Sequence, residues 1–353
     1  MSAEVQVHRD GGVGRIVLDR PRALNSLTHG MITAVHAALE GWAADDAVRV
    51  VVLTGAGGRG LCAGADIRAI HEDAKAGGAG SRAFFRDEYR LNALIARYPK
   101  PYVAVMDGIT MGGGVGLSAH GAVRIVTERS TVAMPETRIG LVPDVGGSLL
   151  LARAPGELGT HVGLTSASMG PGDALLCGFA DHFVPSAAVP ALLAELTTAA
   201  DPAASVATAV AAAVAAHAEA APTAALAAQR EWIDACYAAD TVEEIVARLL
   251  DTGLPEAKEA AEQVLGNSPT AVKVTLAALR RARTLPTLEA VLDQEYRISC
   301  AALAGHDLVE GIRAQVVDKD RNPRWSPADL AGVSEAEVAR HFAPFEGDEL
   351  GLA

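Results

Sequence analysis

Cysteine is scarce in this chain, and the start of the chain carries no export signal. The 353 residues include four cysteines, at positions 62, 177, 236 and 300. They show no CxxC pairing and no metal-ligand spacing, which excludes a disulfide framework and is typical of reduced thiols. The first residues, MSAEVQVHRDGG, lack the basic and apolar segments of a signal peptide. These absences predict a cytoplasmic protein without a metal site.

Positive charge and long apolar runs are also scarce. The formal net charge is −13, which disfavours a broad nucleic-acid surface but leaves room for a local basic cluster that holds an anionic ligand. The longest weakly polar run, residues 203–216, is mostly alanine and is too short to span a bilayer. GxSxG, HExxH and Walker A motifs are absent. The sequence therefore predicts binding to neither nucleic acid nor membrane.

The residues that are present predict a packed α/β protein. Hydrophobic residues make up 50% of the chain and charged residues 21%, a balance typical of a large globular core. Two strands joined by a turn at residues 10–12 precede a helix at 28–43, with Thr28 as its N-cap, and a buried strand at 49–54. This order indicates parallel crossover units. Because the pattern becomes almost entirely helical after residue 186, we expect a core region, 1–186, and a helical C-terminal region, 187–353.

Residues 108–147 concentrate the features that indicate chemistry. Three consecutive glycines, 112–114, follow a strand-like run and precede a helix-compatible segment. The unpaired N–H groups and positive dipole at such a helix start suit an oxyanion or a phosphate. Glu136 and Asp144 follow closely and suggest acyl chemistry. The alternative is a packing turn with two surface acids.

Three other features have competing interpretations. Residues 55–60 match GxGxxG, but they lead into a second small-residue loop instead of opening a helix, and no strand intervenes before the next helix, which disfavours a dinucleotide site. Cys62, in that second loop, lacks a recognisable histidine base and is better explained as a packed small residue. Glu88 falls among apolar neighbours on its helix, so it is either functional or paired with Arg86 or Arg90.

Several motifs together resemble a known family. CAGADI at 62–67, GGG at 112–114, Pro135-Glu136 and PDVGG at 143–147 resemble the crotonase (enoyl-CoA hydratase) superfamily. More narrowly, 3-hydroxyisobutyryl-CoA hydrolases are similar at FFRDEY (84–89), GITMGGGVG (108–116), MPET (134–137), EYR (295–297), HDLVEGIR (306–313) and DKD (318–320). The resemblance implies a spiral of ββα units with a largely helical C-terminal region, and coenzyme A as part of the substrate, not as a permanently bound cofactor.

The resemblance also implies roles for individual residues. Glu136 and Asp144 would be catalytic, and the backbone N–H groups of Ala65 and Gly113 would form an oxyanion hole. Glu88 would be an acid of the substrate pocket that meets a 3-hydroxyl group. Further substrate contacts are implied for Ala63, Asp66, Ile67 and Gly112, with Arg20, Arg22 and Lys319 as candidates for the coenzyme A phosphates.

One position separates the subclasses of the family. Hydratases of this kind carry a first glutamate shortly after the triple glycine, where this chain has Gly116, and a second in the Pro-Glu pair, which Glu136 retains. Asp144 stands where hydratases generally have glycine. The resemblance to the hydrolases therefore implies a thioester hydrolase, with a role in valine catabolism. An enoyl-CoA hydratase or isomerase, and a non-catalytic acyl-CoA-binding protein, are the alternatives, and a homo-oligomer is possible.

Overall fold

The computed structural model describes residues 4–199, 205–344 and 348–353, which form ten strands and sixteen α-helices. The strands are β1 Val5–Asp10, β2 Val13–Leu18, β3 Val50–Gly55, β4 Gly60–Cys62, β5 Tyr102–Met106, β6 Ile109–Met111, β7 Val123–Val126, β8 Thr131–Ala133, β9 Ser168–Met169 and β10 His182–Phe183. The helices are α1 His29–Ala43, α2 Ile67–Lys75, α3 Ala79–Ala96, α4 Gly113–Ser118, α5 Gly147–Arg153, α6 Leu158–Thr165, α7 Pro171–Leu176, α8 Val189–Ala199, α9 Val206–His217, α10 Ala225–Tyr237, α11 Val242–Asp251, α12 Pro255–Gly266, α13 Pro269–Ala282, α14 Leu288–Leu303, α15 His306–Ile312 and α16 Glu335–Arg340.

The main sheet has six strands in the order β1-β2-β3-β5-β7-β10. Strands β1 and β2 form the predicted antiparallel hairpin, and every other neighbouring pair is parallel. The four valine and leucine residues at the start of β3 are all buried, as expected for a strand covered on both faces of a parallel sheet. The N-cap prediction is also confirmed, because the Thr28 hydroxyl accepts a hydrogen bond from the Met31 amide at the start of α1. The α/β prediction is therefore confirmed.

A second sheet has four short strands in the order β4-β6-β8-β9. Its strand β4 corrects the sequence analysis, which placed residues 61–67 in a loop with no strand before the next helix. Small residues at 60–64 gave no β-branched signal, and the strand forms because β4 pairs in parallel with β6. The dinucleotide interpretation remains disfavoured, since residues 55–60 connect two strands, β3 and β4, and open no helix.

The chain forms two compact units that interleave in sequence. The first unit contains Met1–Ala65, Arg90–Val132 and Met169–Ala225, and the second contains Asp66–Tyr89, Ala133–Ser168 and Leu226–Ala353. The predicted division into residues 1–186 and 187–353 stays a prediction. It was based on sequence composition, whereas the two compact units are defined by contacts between residues. Beyond residue 186 the described part of the chain contains helices and short helical turns but no strand, which agrees with the helical C-terminal region.

Each unit has its own hydrophobic core. In the first unit, the buried side chains of β2, β3, β5 and β7 meet those of α8 and α9, as with Val50, Val52, Leu192 and Val210. Val50 and Val52 lie two positions apart on β3 and so point to the same face. In the second unit, α13 and α14 each contribute to two smaller buried clusters. None of the helices in the described ranges has the length and apolar character that crossing a bilayer requires.

Candidate active site

Two backbone loops of the first unit begin where neighbouring parallel strands end. Strand β4 pairs with β6 through Gly60 opposite Ile109 and Cys62 opposite Thr110. Because parallel strands present their carboxyl ends at the same edge of a sheet, residues 63–65 and 112–113 emerge side by side. The first loop is fixed by backbone hydrogen bonds, from the Ala63 amide to the Leu24 carbonyl at 3.0 Å and from the Leu27 amide to the Gly64 carbonyl at 2.8 Å.

Glycine is required where these loops meet. Gly64 has a φ of +98°, and a Cβ there would lie 3.6 Å from the Gly113 amide nitrogen; a Cβ on Gly114 would lie 2.5 Å from the Cys62 carbonyl oxygen. The loops therefore pack backbone against backbone. Gly113 is the first residue of α4, with Gly112 at the N-cap position and φ 49°, so its N–H lacks an intrahelical acceptor. Cys62 is fully buried beneath the loop, which supports a packing role.

The second unit contains four buried carboxyl groups that influence one another, and we refer to them as the acid cluster: Glu88, Glu136, Asp144 and Glu295. Their exposed fractions are 1%, 6%, 5% and 0%. The alternative of two surface acids at positions 136 and 144 is therefore wrong. Glu88 lies on α3, Glu136 opens a 3-10 turn after Pro135, Asp144 lies in the loop before α5, and Glu295 lies on α14.

Burial raises the pKa of every member of the acid cluster. For Glu88 and Glu136 the pKa lies well above 4.5, first because of desolvation and then because of the neighbouring Asp144 charge. Desolvation raises the pKa of Asp144 to about 6, against the opposing hydrogen bond from Tyr89. Desolvation raises the pKa of Glu295 to about 8, although its hydrogen bonds from Ser148 and Gly146 oppose the shift. Such raised values are common where carboxyl groups exchange protons near neutral pH.

The Asp144 side chain is held by a chain of hydroxyl groups. Tyr89 Oη donates to Asp144 Oδ2 at 2.6 Å, and Ser299 Oγ lies 2.8 Å from the same tyrosine oxygen. Because the single tyrosine proton is directed at Asp144, Ser299 is the donor in the second contact. Tyr89 and Ser299 are both buried. This arrangement supports an ionised Asp144, since Tyr89 donates to the carboxylate and Ser299 in turn donates to the Tyr89 oxygen.

Two carboxyl oxygens of the acid cluster are able to accept a hydrogen bond from a ligand. Within the described ranges, Glu88 Oε1 and Glu136 Oε2 are buried and have no hydrogen-bond partner in the protein. The salt bridge considered for Glu88 does not form with Arg86, which instead pairs with Asp348 and hydrogen-bonds to Tyr296 Oη. Unsatisfied buried acceptors are costly, so these oxygens are suited to a hydroxyl group or water supplied by a ligand.

The basic residues expected at the coenzyme A phosphates are Arg20, Arg22 and Lys319. Arg20 pairs with Glu4 at 2.8 Å and donates to the Ser26 carbonyl, so part of its charge is already neutralised. Arg22 and Lys319 are exposed, and Lys319 adopts φ 58° beside aspartates that pair with Arg313. Asp66 and Ile67 lie at the start of α2.

The described residues include no metal-ligand cluster, and the expectations of no metal and no bound cofactor stay predictions.

Three residues of this region were assigned no role from sequence. Tyr89 adjoins Glu88, while Glu295 and Ser299 lie one helical turn apart on α14, between the buried Val291 and Ala302. A polar pair spaced by four positions in an apolar helical stripe is the signal that could have identified them. That signal does not reveal their partners, which are remote in the chain: Glu295 contacts Gly146 and Ser148, 149 and 147 positions away, and Ser299 contacts Tyr89, 210 positions away.

The fold and these residues define a class of protein. A family model described as enoyl-CoA hydratase/isomerase matches residues 13–342, so the chain belongs to that family and the crotonase resemblance is confirmed. Within it, the chain is 40% identical to 3-hydroxyisobutyryl-CoA hydrolase, mitochondrial, of Gallus gallus, over 99% of this chain and 91% of the relative. It is 42% identical to the Rattus norvegicus protein of the same name, over 97% and 89%.

Two solved structures have the same fold and are named for other activities. A carnitinyl-CoA dehydratase from Mycobacterium thermoresistibile is 53% identical, with a TM-score of 0.93 and 99% of each chain covered. An enoyl-CoA hydratase from Rhodobacter sphaeroides 2.4.1 is 44% identical, with a TM-score of 0.91 and 99% of each chain covered. These matches confirm the crotonase-type fold. The named activities of relatives therefore divide between hydrolysis and hydration.

The predicted cytoplasmic location is wrong by comparison with the curated relatives, which are named as mitochondrial proteins. The prediction rested on cysteine usage and on the N-terminal composition. Reduced thiols indicate only a reducing compartment, and a signal peptide concerns export from the cell. Neither observation distinguishes the cytosol from a reducing organelle.

Proposed function

We propose that this chain hydrolyses the thioester of 3-hydroxyisobutyryl-CoA, or of a closely related short 3-hydroxyacyl-CoA, to the free acid and coenzyme A. The observation that carries the proposal is the buried pair Glu136 and Asp144 in the acid cluster, combined with Gly116 where family hydratases carry their first glutamate. Family hydratases use a carboxyl group at each of these two positions, so Gly116 removes half of the hydration pair, whereas Asp144 gives Glu136 a second acid for thioester cleavage. Curated relatives about 40% identical are named for this activity.

In the first unit, Ala65 and Gly113 are the proposed oxyanion donors. The thioester oxygen gathers negative charge as the carbonyl carbon becomes tetrahedral, and fixed backbone amides are each worth roughly 3–4 kcal/mol at that stage. The parallel pairing of β4 and β6 supports this role, because it sets the two loops beside each other. Ala63, Asp66, Ile67 and Gly112 flank these donors, and Arg22 and Lys319 remain the proposed phosphate contacts.

In the second unit, Glu136 and Asp144 are the proposed catalytic groups. Glu136 either removes a proton from water or attacks the carbonyl carbon to form an anhydride, which water then cleaves. In the general-base route, the proton that Glu136 removes from water passes through Asp144, whose pKa is about 6, to the thiolate as the carbon–sulfur bond breaks. In the anhydride route, the carbon–sulfur bond breaks as Glu136 attacks, and the thiolate takes up, through Asp144, the proton that water releases when it cleaves the anhydride. Glu88 is the proposed partner of the 3-hydroxyl group, since its buried Oε1 has no partner within the described residues.

The wider setting is also a proposal. Hydrolysis of 3-hydroxyisobutyryl-CoA would serve valine catabolism. Coenzyme A enters and leaves with the substrate, and we propose no permanently bound cofactor. A homo-oligomer remains possible for a member of this family.

A direct test compares two reactions of the purified protein. Free-thiol release from 3-hydroxyisobutyryl-CoA measures hydrolysis, and loss of crotonyl-CoA absorbance measures hydration. We expect thiol release without rapid hydration. Rapid hydration without thiol release would instead favour the activity named for the Rhodobacter relative. A panel of short 3-hydroxyacyl-CoA esters then identifies the acyl group, because one methyl changes binding by only about 1–3 kcal/mol.

Glu136→Gln tests whether the chain is an enzyme at all. Removing an acid–base group typically lowers turnover by at least about a hundredfold, so we expect that loss in kcat for thiol release. Asp307→Asn provides a control, because Asp307 is a buried carboxylate of the second unit bound to Ser268 and Ser326. If wild-type protein and Glu136→Gln both stay at background, a binding protein without catalysis is the better explanation.

A further inference from the structure

Glu295 attaches α14 to the loop that carries Asp144. It is fully buried and accepts hydrogen bonds from the Gly146 amide at 2.7 Å, the Ser148 amide at 3.0 Å and the Ser148 hydroxyl at 2.5 Å. The contacted residues are 149 and 147 positions from Glu295 in the chain. They lie two and four residues after Asp144, so α14 sets the path of the backbone just beyond that residue.

The backbone at this loop needs such support. Val145 has φ 52° and Gly146 has φ 80°, and a β-branched residue at positive φ is strained. The Gly147 amide also bonds back to the Asp144 carbonyl at 2.6 Å, which closes a tight turn. Without an external acceptor, the amides of Gly146 and Ser148 would be buried and unpaired at the start of α5. Glu295 supplies that acceptor.

A second contact from the same helix reaches the Asp144 side chain. Ser299 lies four residues after Glu295 and therefore on the same face of α14. Its hydroxyl contacts Tyr89 Oη, which donates to Asp144 Oδ2. One face of α14 thus supports Asp144 twice, through the backbone that follows it by Glu295, and through its carboxylate by Ser299, which acts by way of Tyr89 on α3.

We infer that Glu295 is a positioning residue that fixes the Asp144 turn, and that Ser299 and Tyr89 complete the same support from α14 and α3. The inference rests on the proposed function for its consequence in catalysis, but the geometric part is independent of substrate. A carboxylate suits this role because all three contacts are donors and an ionised carboxylate is only an acceptor. An amide at the same position would turn its NH2 group toward one of those donors.

The first experiment measures the turn itself. Hydrogen exchange of the peptide covering residues 141–149 is followed in wild type, Glu295→Gln and the control Asp307→Asn, which removes a buried carboxylate that binds elsewhere. We expect exchange in that peptide to rise at least about tenfold in Glu295→Gln and to stay within about twofold in Asp307→Asn. Equal exchange in wild type and Glu295→Gln overturns the inference, whatever reaction the protein catalyses.

The second experiment measures kcat, KM and the pH profile of thiol release. We expect Glu295→Gln and Tyr89→Phe to lower kcat by at least about tenfold with KM changed by less than about threefold, and to displace the acidic limb of the kcat profile. Glu295→Asp restores a carboxylate and should recover part of kcat. The groups facing Asp144 are Glu88 and Tyr89 on α3, Glu136 in the 3-10 turn and Glu295 on α14. The acidic limb of the kcat profile therefore reports the coupled titration of Asp144 with these groups.

The double variant Glu295→Gln/Tyr89→Phe distinguishes an effect that acts through Asp144 from a general loss of structure. If both residues act through Asp144, their effects on kcat are less than multiplicative. Multiplicative effects with an unchanged pH profile, or a loss in Asp307→Asn equal to that in Glu295→Gln, contradict the inference. A wild-type protein without thiol release refutes the proposed function alone, because the exchange experiment still tests the turn.

Discussion

Glu88 combines a stability cost with the specificity role that we propose for it. A buried carboxylate whose Oε1 has no partner in the described part of the chain carries a desolvation penalty that its ionised form cannot recover within the protein. A ligand hydroxyl would offset that penalty. At the scale of single residues, the side chain that costs stability is therefore the one suited to recognise the substrate.

Glu88→Gln tests both consequences. We expect the free energy of unfolding at pH 8 to rise by about 1 kcal/mol, because a charged group is removed from a buried position. We also expect kcat/KM for 3-hydroxyisobutyryl-CoA to fall at least about tenfold more than kcat/KM for isobutyryl-CoA, which lacks the hydroxyl group. Urea denaturation and thiol release measure the two quantities. An equal loss for both substrates would remove the hydroxyl-binding role.

At the scale of elements, the sequence predicted where turns and helix ends lie more readily than it predicted which elements pack against each other. The hairpin, the cap of α1 and the glycine turn before α4 follow from local chemistry, and the structure contains each of them. Strand β4 was missed because its residues have little β propensity of their own and depend on pairing with β6. Glu295 was given no role for a similar reason, since helical spacing identifies a face but not what that face contacts.

Gly114→Ala tests the packing of the two backbone loops. A Cβ there would come within 2.5 Å of the Cys62 carbonyl, so we expect a loss of about 1–3 kcal/mol in unfolding free energy and a marked fall in kcat for thiol release. Gly41→Ala is the matched control in the same unit, because Gly41 lies in α1 with open space around its Cα. That change should stabilise the protein by about 0.5–1 kcal/mol and leave kcat unaltered.

At the scale of the whole molecule, the acid cluster gives stability a pH dependence of definite sign. Glu88 and Glu136 have folded-state pKa values raised by burial and then by the Asp144 charge, so between their unfolded and folded pKa values the folded protein binds more protons. Stability must therefore fall as pH rises through that range. Below about pH 6.5 the buried His161, whose pKa is lowered to about 4 by desolvation, acts in the opposite direction.

The clearest window for this effect is pH 6.5 to 8. We expect the free energy of unfolding to decrease across it by on the order of 1–2 kcal/mol for each acid that titrates there, since one pH unit corresponds to at most about 1.4 kcal/mol per proton. Urea midpoints at several pH values measure the slope. Glu88→Gln should reduce the slope, whereas Glu157→Gln should not, because hydrogen bonds from Arg283, Thr160 and Arg280 keep the Glu157 pKa low. A stability that rises from pH 6.5 to 8 would contradict the raised pKa values.

The parallel pairing of β4 with β6 also limits which insertions the chain can tolerate. One extra residue within either strand would slide its following loop by about 3.3 Å relative to the other, a distance longer than a hydrogen bond. Two amides displaced by that amount can no longer serve one oxygen atom. We therefore expect the protein to tolerate insertions in the turn at residues 56–59, before β4. We expect it not to tolerate them between Gly60 and Ala65 or between Ile109 and Gly113.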